Sequence, residues 1–182
     1  KGINLKSPHV KPWFKNSNIN RYWTPTKPIE YVLYFKDLKV KQEIEKPILD
    51  HFEPFKELLI ARLSVCKNNK FQWNIVSKWI DRGEYYLLFY PRKPNMFEDN
   101  KIVVPQRSKI NTFGYNEDPW YASADVYFIR IKENMVDYHI KFILCLLNSK
   151  LFYKWLYFRG KRKGYTLELY QKPLSEIPIR KS

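Results

Sequence analysis

Basic and aromatic side chains are interleaved in the middle of the sequence, in YPRKPNMFEDNKIVVPQRSKINTFGYNEDPWYASADVYFI, residues 90–129. Arginine can pair with guanine, and asparagine with adenine, through two hydrogen bonds, whereas lysine more often contacts phosphates. Such readout needs side chains that neighbouring strands present rigidly. The residues of this stretch that we expect to contact a nucleic acid are Arg92, Lys93, Lys101, Arg107, Lys109, Asn111 and Tyr115.

Turns between short strands are expected to hold four of these side chains outward. The four are Arg107, Lys109, Asn111 and Tyr115. The alternative is that the charges only solvate strand ends. We accept a core role for the apolar residues of the stretch, namely Phe97, Phe113, Phe128 and Ile129.

A second basic cluster lies in FRGKRKGY, residues 158–165. A helix dipole favours one or two cations at a helix end, but not four in five positions. The glycines at 160 and 164 predict a loop, and we expect it to contact phosphates, with the last tyrosine beside a groove. The residues predicted to bind here are Arg159, Lys161, Arg162, Lys163 and Tyr165.

The overall charge points to a polyanionic partner. The 182 residues include 33 Lys and Arg against 18 Asp and Glu, for a formal charge of +15. DNA, RNA and an anionic membrane surface are the candidates, and a lysine-rich but merely solvated surface is the alternative. We expect the partner to be a nucleic acid. The sequence has no apolar run long enough to span a bilayer, so we expect no membrane association and a cytoplasmic location.

No catalytic or metal-binding pattern stands out. The three histidines are far apart and lack companions at metal-ligand spacing, and the two cysteines are expected to be reduced thiols. Only five glycines occur, and no phosphate-binding loop motif is present. We therefore expect no metal, no cofactor and no catalytic residue in this chain, which favours a binding module.

The hydrophobic pattern predicts an α+β fold, with a mostly antiparallel sheet and packed helices at about 46–67 and 137–158. Asp137 is a candidate cap for the second helix, and Pro54 is expected to kink the first or mark its start. Residues 71–131 are predicted to form short strands, and the end of the chain a strand followed by an extended tail.

The domain organisation predicted from the pattern has two parts. Residues 1–45 are expected to form a lead-in segment, with a short helix near NSNINRYW and a strand in EYVLYF. Residues 46–182 are expected to form the recognition domain. Because the chain begins without methionine, we expect it to be part of a longer protein.

Four segments, taken in order, resemble a known family. They are PRKPNMFEDNKIVVPQRS, YASADVYFI, LCLLNSKLFYKWL and LSEIPI. Their order and spacing are similar to those of the TaqI-like C-terminal specificity domain, the target recognition domain of adenine-N6 DNA methyltransferases. The resemblance covers residues 46–179 and extends weakly back to FKNSNINRYW. In that family such domains occur in stand-alone methylases and in type IIG enzymes fused to an endonuclease.

The resemblance implies which partners and cofactors belong to the whole protein. Double-stranded DNA and the protein's own N-terminal methyltransferase domain would be the partners of a monomer. S-adenosylmethionine would bind that catalytic domain, and Mg²⁺ would be needed if an endonuclease is fused. The family's Asn-Pro-Pro-Tyr-type motif is absent from these residues, so we expect that this chain does not methylate DNA alone.

Only a few residues carry over from the family. Arg92 matches its "PR" element, and Lys101 matches a lysine before a strand. Asn148 and Ser149 match "LNS", for which we expect a structural role, with Asn148 ending one helical segment and Ser149 capping the next. The resemblance transfers no base-reading residue.

Three other functions stay open. A small nuclease would need a carboxylate cluster around Mg²⁺. Its candidates are Asp81, Glu84, Glu98 and Asp99, with Lys101. A specificity subunit of a multi-subunit restriction system would carry two recognition domains, where this chain shows one. An RNA-binding module would stack bases on exposed aromatic rings.

Overall fold

The computed structural model describes residues 2–35, 44–66, 68–88, 91–132 and 138–180. Contacts divide the chain into two compact units. The first comprises Lys1–Lys11 and Val32–Lys93, and the second comprises Pro12–Tyr31 and Pro94–Ser182. This division of contacts does not follow the boundary expected between residues 45 and 46, and the functional boundary there stays a prediction.

Helices dominate the first unit, and a proline interrupts them where the sequence suggested. The helices are α1 (Lys46–Phe52), α2 (Lys56–Ala61) and α3 (Lys70–Asp81), with 3-10 turns at Glu53–Phe55 and Arg62–Cys66. Pro47 lies in the first turn of α1, where its missing N–H costs nothing. Pro54 lies in the 3-10 turn that separates α1 from α2, because proline cannot continue an α-helix.

Helix α3 corrects the prediction of short strands from residue 71 onward. The Asn69 side chain accepts a hydrogen bond from the Gln72 backbone N–H at 3.1 Å and so caps the helix. Val76 is fully buried, and Trp79 packs against a core of Phe35, Ile48 and Leu87. The aromatic and β-branched residues of this segment suggested strands, but their burial follows helical spacing.

Two small sheets build most of the second unit. One has the order β2-β6-β4-β8, and the other has the order β5-β10-β9. Their strands are β2 (Tyr22–Trp23), β4 (Lys101–Pro105), β5 (Arg107–Ser108), β6 (Gly114–Asn116), β8 (Val126–Ile129), β9 (Lys161–Lys163) and β10 (Thr166–Glu168). Strand β4 is completely buried between antiparallel β6 and β8.

The remaining strands and helices complete the architecture. These are β1 (Val10–Phe14), β3 (Glu30–Leu33), α4 (Asn95–Glu98), β7 (Tyr121–Ala122), α5 (Ile140–Leu147), α6 (Lys150–Arg159), α7 (Gln171–Ser175) and a 3-10 turn at Asn16–Asn18. Strand β1 pairs in parallel with β7 in a further sheet. Within the two small sheets, β2 pairs in parallel with β6, and the other pairings are antiparallel. The α+β prediction is therefore confirmed.

The second predicted helix is divided in two where the sequence indicated. Asn148 ends α5, and the Ser149 hydroxyl accepts a hydrogen bond from the Phe152 backbone N–H at 3.3 Å to cap α6. Helix α5 begins at Ile140, after a cap by His139. The proposed cap residue, Asp137, lies outside the described residues. At the chain end, helix α7 replaces the extended tail that we predicted, since Pro173 falls in its first turn.

The side chain of Asn148 joins the break between α5 and α6 to the segment before β6. Asn148 is fully buried. Its oxygen accepts from the Phe113 N–H at 3.1 Å, and its amide donates to the Phe113 carbonyl at 2.8 Å and to the Leu144 carbonyl at 3.2 Å. The structural role expected for "LNS" is confirmed.

Replacing Asn148 with alanine is expected to lower the free energy of unfolding by about 2–3 kcal/mol. The buried Phe113 N–H loses its partner, while the carbonyls of Phe113 and Leu144 each lose one of two donors. Urea unfolding measures the loss. The exposed Asn100→Ala is the control and should change stability by less than about 0.5 kcal/mol. Equal losses in the two variants would contradict a structural role for the Asn148 side chain.

Candidate nucleic-acid interface

The basic stretch after α6 forms a strand of a hairpin. Lys161–Lys163 pairs antiparallel with Thr166–Glu168, and Gly164 provides the turn with a φ of +59°. A left-handed φ favours glycine there. The loop predicted for residues 158–165 is therefore wrong over its central residues. Backbone pairing gives these cations the rigid presentation that we had expected only from the middle of the chain.

The register of the β5-β10-β9 sheet places three cations on one side. Glu168 pairs with Arg107 on β5 and with Lys161 on β9, and Thr166 pairs with Lys163. Because side chains alternate along a strand, these residues share the side opposite to Leu167, which packs into the hydrophobic core. We call Arg107, Lys161 and Lys163 the basic face.

A buried carboxylate lies at the centre of the basic face. Glu168 is only 5% exposed, and its oxygens lie 3.3 Å from Arg107 Nη2 and 3.4 Å from Lys161 Nζ. Arg107 also donates to the Tyr170 hydroxyl at 2.9 Å. The hydrogen bond and the charge interaction with Tyr170 raise the pKa of the Arg107 guanidinium, and Glu168 adds a smaller contribution in the same direction. These contacts fix both cations while leaving other N–H donors of the guanidinium available.

Aromatic rings support the edges of this sheet. The Arg162 guanidinium lies 4.0 Å from the ring centroid of Tyr157 on α6, a cation–π distance. Tyr165 is fully exposed at the hairpin turn, and Arg159 is exposed at the end of α6. The hairpin therefore combines positive charges with an exposed aromatic ring, as protein surfaces that bind nucleic acid do.

The charge of the second unit is concentrated in this part of the chain. Residues 150–182 carry nine basic and two acidic residues, whereas the rest of the unit carries nine basic and eight acidic residues. The strands and helices before α6 are thus nearly neutral. The excess charge belongs to α6, the hairpin and the tail.

The sequence of this chain is similar to a family of specificity domains and to two methyltransferases. The family model of the TaqI-like C-terminal specificity domain matches residues 11–179. This chain belongs to that family. It is 32% identical over 104 residues to the type II methyltransferase M.HincII of Haemophilus influenzae, covering 53% of this chain and 20% of the relative. It is 30% identical over 137 residues to the type II methyltransferase M.HindII of Haemophilus influenzae, covering 71% of this chain and 24% of the relative.

The specificity domain matches only about a quarter, or less, of the length of these curated relatives. The family match reaches further toward the N-terminus than the segments from residue 46 indicated, and it includes FKNSNINRYW. The family assignment made from the sequence is confirmed.

Two residues of the specificity domain that we predicted to contact a nucleic acid are buried, so this prediction was wrong for them. Lys101 is fully buried, with Nζ donating to the carbonyls of Asp99 at 3.0 Å and Asp118 at 2.7 Å. Asn111 is 3% exposed and donates to the carbonyls of Leu147 at 2.6 Å and Ser149 at 2.9 Å. Both side chains tie loops together, because buried polar groups require partners.

The other predicted residues are accessible to different degrees. Lys109 is exposed, and Tyr115 is half-buried beside Glu117 and Lys141. Burial, followed by the hydrogen bond to Glu117, raises the pKa of Tyr115 to about 12. Arg92 is half-buried and Lys93 is exposed, and both belong to the first unit.

The carboxylates proposed for a nuclease have other contacts. The Tyr121 hydroxyl donates to Glu98 at 2.6 Å, and Asp99 pairs with Arg130 at 2.9 Å. Within the described ranges, no group of three or more His, Cys, Asp or Glu side chains could hold a metal ion. No helix in the described part of the chain is long and apolar enough to cross a membrane.

Sequence reasoning missed Glu168, Tyr170 and Tyr157, which orient the cations of the hairpin. A signal for two of them was present. In TLELY, alternation places Thr166, Glu168 and Tyr170 on one side of a strand and the leucines on the other. Because FRGKRKGY was predicted to be a loop, no strand was expected beside TLELY. The pairing of Lys161 with Glu168 could therefore not be predicted.

The ammonium of Lys101 gives the domain a measurable pH dependence. Burial lowers the pKa of Lys101 to about 8, against an ordinary value of 10.5. Between these two values the unfolded chain holds a proton that the folded chain has released, so rising pH stabilises the folded state. We expect the free energy of unfolding to rise by up to about 2 kcal/mol between about pH 7.5 and 9.5.

Urea unfolding of the wild type and Lys101→Met across this pH range measures the effect. The difference between the two proteins isolates Lys101 from the tyrosines that titrate at higher pH. If the two pH profiles run parallel, the buried ammonium is not the source of the dependence.

Proposed function

We propose that this chain is the target recognition domain of a type II, IIG-like adenine-N6 DNA methyltransferase, and that it binds double-stranded DNA sequence-specifically through the basic face. The observation that carries the proposal is the pairing of Arg107 and Lys161 around buried Glu168. A fixed guanidinium can make the two hydrogen bonds that identify guanine. The family membership and the methyltransferase names of the relatives support the same reading.

The proposal divides the contacts into readers and positioners. Arg107 reads a base edge. Lys161 and Lys163 on the basic face, and Arg162 on the other side of the same strand, hold phosphates, which orient the domain without specifying sequence. Further backbone contacts are assigned to Arg92, Lys93, Lys109, Tyr115, Arg159 and Tyr165. Lys101 and Asn111 support these elements from within. Residues 46–182 act in recognition, and residues 1–45 lead in from the catalytic domain.

The remaining chemistry belongs to other parts of the whole protein. S-adenosylmethionine binds the N-terminal methyltransferase domain, and Mg²⁺ is needed only if an endonuclease is fused. The target adenine is extruded from the duplex into that domain, since chemistry on a paired base requires extrusion. The whole enzyme acts as a monomer.

RNA binding is the second candidate, and the fully exposed ring of Tyr165 with the 77% exposed ring of Phe158 favours it. Such rings can stack on unpaired bases. Tighter binding of single-stranded RNA than of duplex DNA at matched salt would favour this alternative.

Arg107→Ala is expected to weaken binding to the cognate duplex by about 1–3 kcal/mol and to leave non-specific binding nearly unchanged. Replacing Lys161, Arg162 and Lys163 together with alanine should weaken binding to all duplexes and flatten the salt dependence by about two to three units. Fluorescence anisotropy across a salt series measures both effects, with a cognate site selected from random duplexes. Identical behaviour of the two variants would refute the division into readers and positioners.

Glu168→Gln keeps the shape of the side chain but removes the charge that holds Arg107 and Lys161. We expect about tenfold less discrimination between cognate and random duplexes, with tighter binding to random DNA because the face gains net positive charge. Glu176→Gln, an exposed acid in the same segment, is the charge-matched control and should keep the discrimination. Equal discrimination in the two variants would mean that Glu168 does not position Arg107.

A further inference from the structure

A cleft with two cations lies beside the segment that follows β5. Its volume is about 180 Å³, and its lining residues are Arg21, Ile110, Asn111, Lys150 and Tyr153. None of the lining residues is acidic. Ile110 follows Ser108, the last residue of β5, by two positions, so the chain leads directly from the basic face to this cleft.

Arg21 is held in place by its surroundings. Its guanidinium donates to the Asn148 carbonyl and lies 5.4 Å from the ring centroid of Tyr22. Tyr22 has a φ of +76°, a value that costs a non-glycine residue on the order of 1 kcal/mol or more.

Close pairing of β2 with β6 keeps Tyr22 in this conformation. The Tyr22 N–H donates to the Phe113 carbonyl at 2.8 Å. A Cβ on Gly114 would lie 2.6 Å from Thr24 Cγ2 and 2.9 Å from the Trp23 carbonyl, so only glycine permits this approach. The strained turn therefore positions Arg21 before any ligand arrives.

Lys150 brings a second positive charge to the same cleft. It is the exposed first residue of α6. In the part of the chain that the structure describes, neither Arg21 nor Lys150 has a carboxylate within ion-pair distance, unlike Arg107, Lys161 and Arg130. Two like charges in one cleft repel each other. An anion bound between them would attract both, so that the net electrostatic energy of the group becomes favourable.

We propose that the cleft between Arg21 and Lys150 binds one backbone phosphodiester of DNA. The inference rests on the proposed function and adds a contact that neither the middle stretch nor FRGKRKGY contains. A phosphodiester fits the chemistry, because arginine can donate two hydrogen bonds to phosphate oxygens while lysine supplies a point charge. Such a contact fixes the position of the domain on the duplex and is insensitive to sequence.

The test uses Lys150→Gln, since Arg21 also bonds to Asn148 and its loss could disturb the fold. Lys150→Gln should reduce the slope of log affinity against log salt by about 0.9, equally for cognate and random duplexes. Lys154→Gln is the matched control, one turn further along the exposed side of α6 and outside the cleft. It should leave the slope unchanged. If the two variants have the same slope, whether reduced or not, the local phosphate site is overturned.

A second measurement separates this site from the proposed function. Dimethyl phosphate, a phosphodiester without bases, is titrated into the ¹⁵N-labelled chain while the amide signals of Ile110, Asn111 and Lys150 are followed. Saturable shifts at these amides, absent in Lys150→Gln, support the site even if duplex DNA does not bind. Normal duplex binding without these shifts overturns the site and leaves the proposed function intact.

Discussion

The hydrogen bonds of Asn148 hold together the two segments that supply the basic face. One segment runs through β5 to Phe113, and the other runs from α6 into β9. Asn148 bonds to both the N–H and the carbonyl of Phe113, and Asn111 bonds back to the carbonyls on either side of Asn148. Without this junction, the break between α5 and α6 would leave buried backbone groups unpaired.

The junction at Asn148 also determines where the positive charges of the hairpin lie. Helix α6 leads into β9, so its orientation sets where Lys161 and Lys163 lie. Cations gathered on one sheet repel each other, and a buried carboxylate between Arg107 and Lys161 offsets part of that repulsion without removing the net positive charge. A surface built in this way is ordered before binding, which reduces the entropy lost when a polyanion docks.

Features with a local physical cause were predictable from the sequence. Pro54 ends α1 and Ser149 caps α6, because a missing N–H and a hydroxyl acceptor act within one turn. Features that depend on distant partners were not. The ammonium of buried Lys101 donates to the carbonyl of Asp118, 17 positions along the chain, as well as to that of nearby Asp99. The residues around Lys101 in the sequence do not show that the chain brings Asp118 back to it.

Two further errors have the same origin. The segment 161–163 was predicted to be a loop, because glycines flank it and its pairing with β10 depends on how the chain turns back. Helix α3 was predicted to be strands, because its β-branched and aromatic residues favour strands locally, while tertiary packing of Val76 and Trp79 selected the helix. The site residues assigned from the sequence remain predictions about binding.

The most direct measurement is an NMR map of the ¹⁵N-labelled chain with a short DNA duplex and, separately, a matched single-stranded RNA at the same salt concentration. We expect the duplex to shift the amide signals of Arg107, Lys161, Arg162 and Lys163 at lower concentration than the RNA does. Shifts confined to the first unit, or stronger responses to RNA on this hairpin, would contradict a duplex-reading basic face.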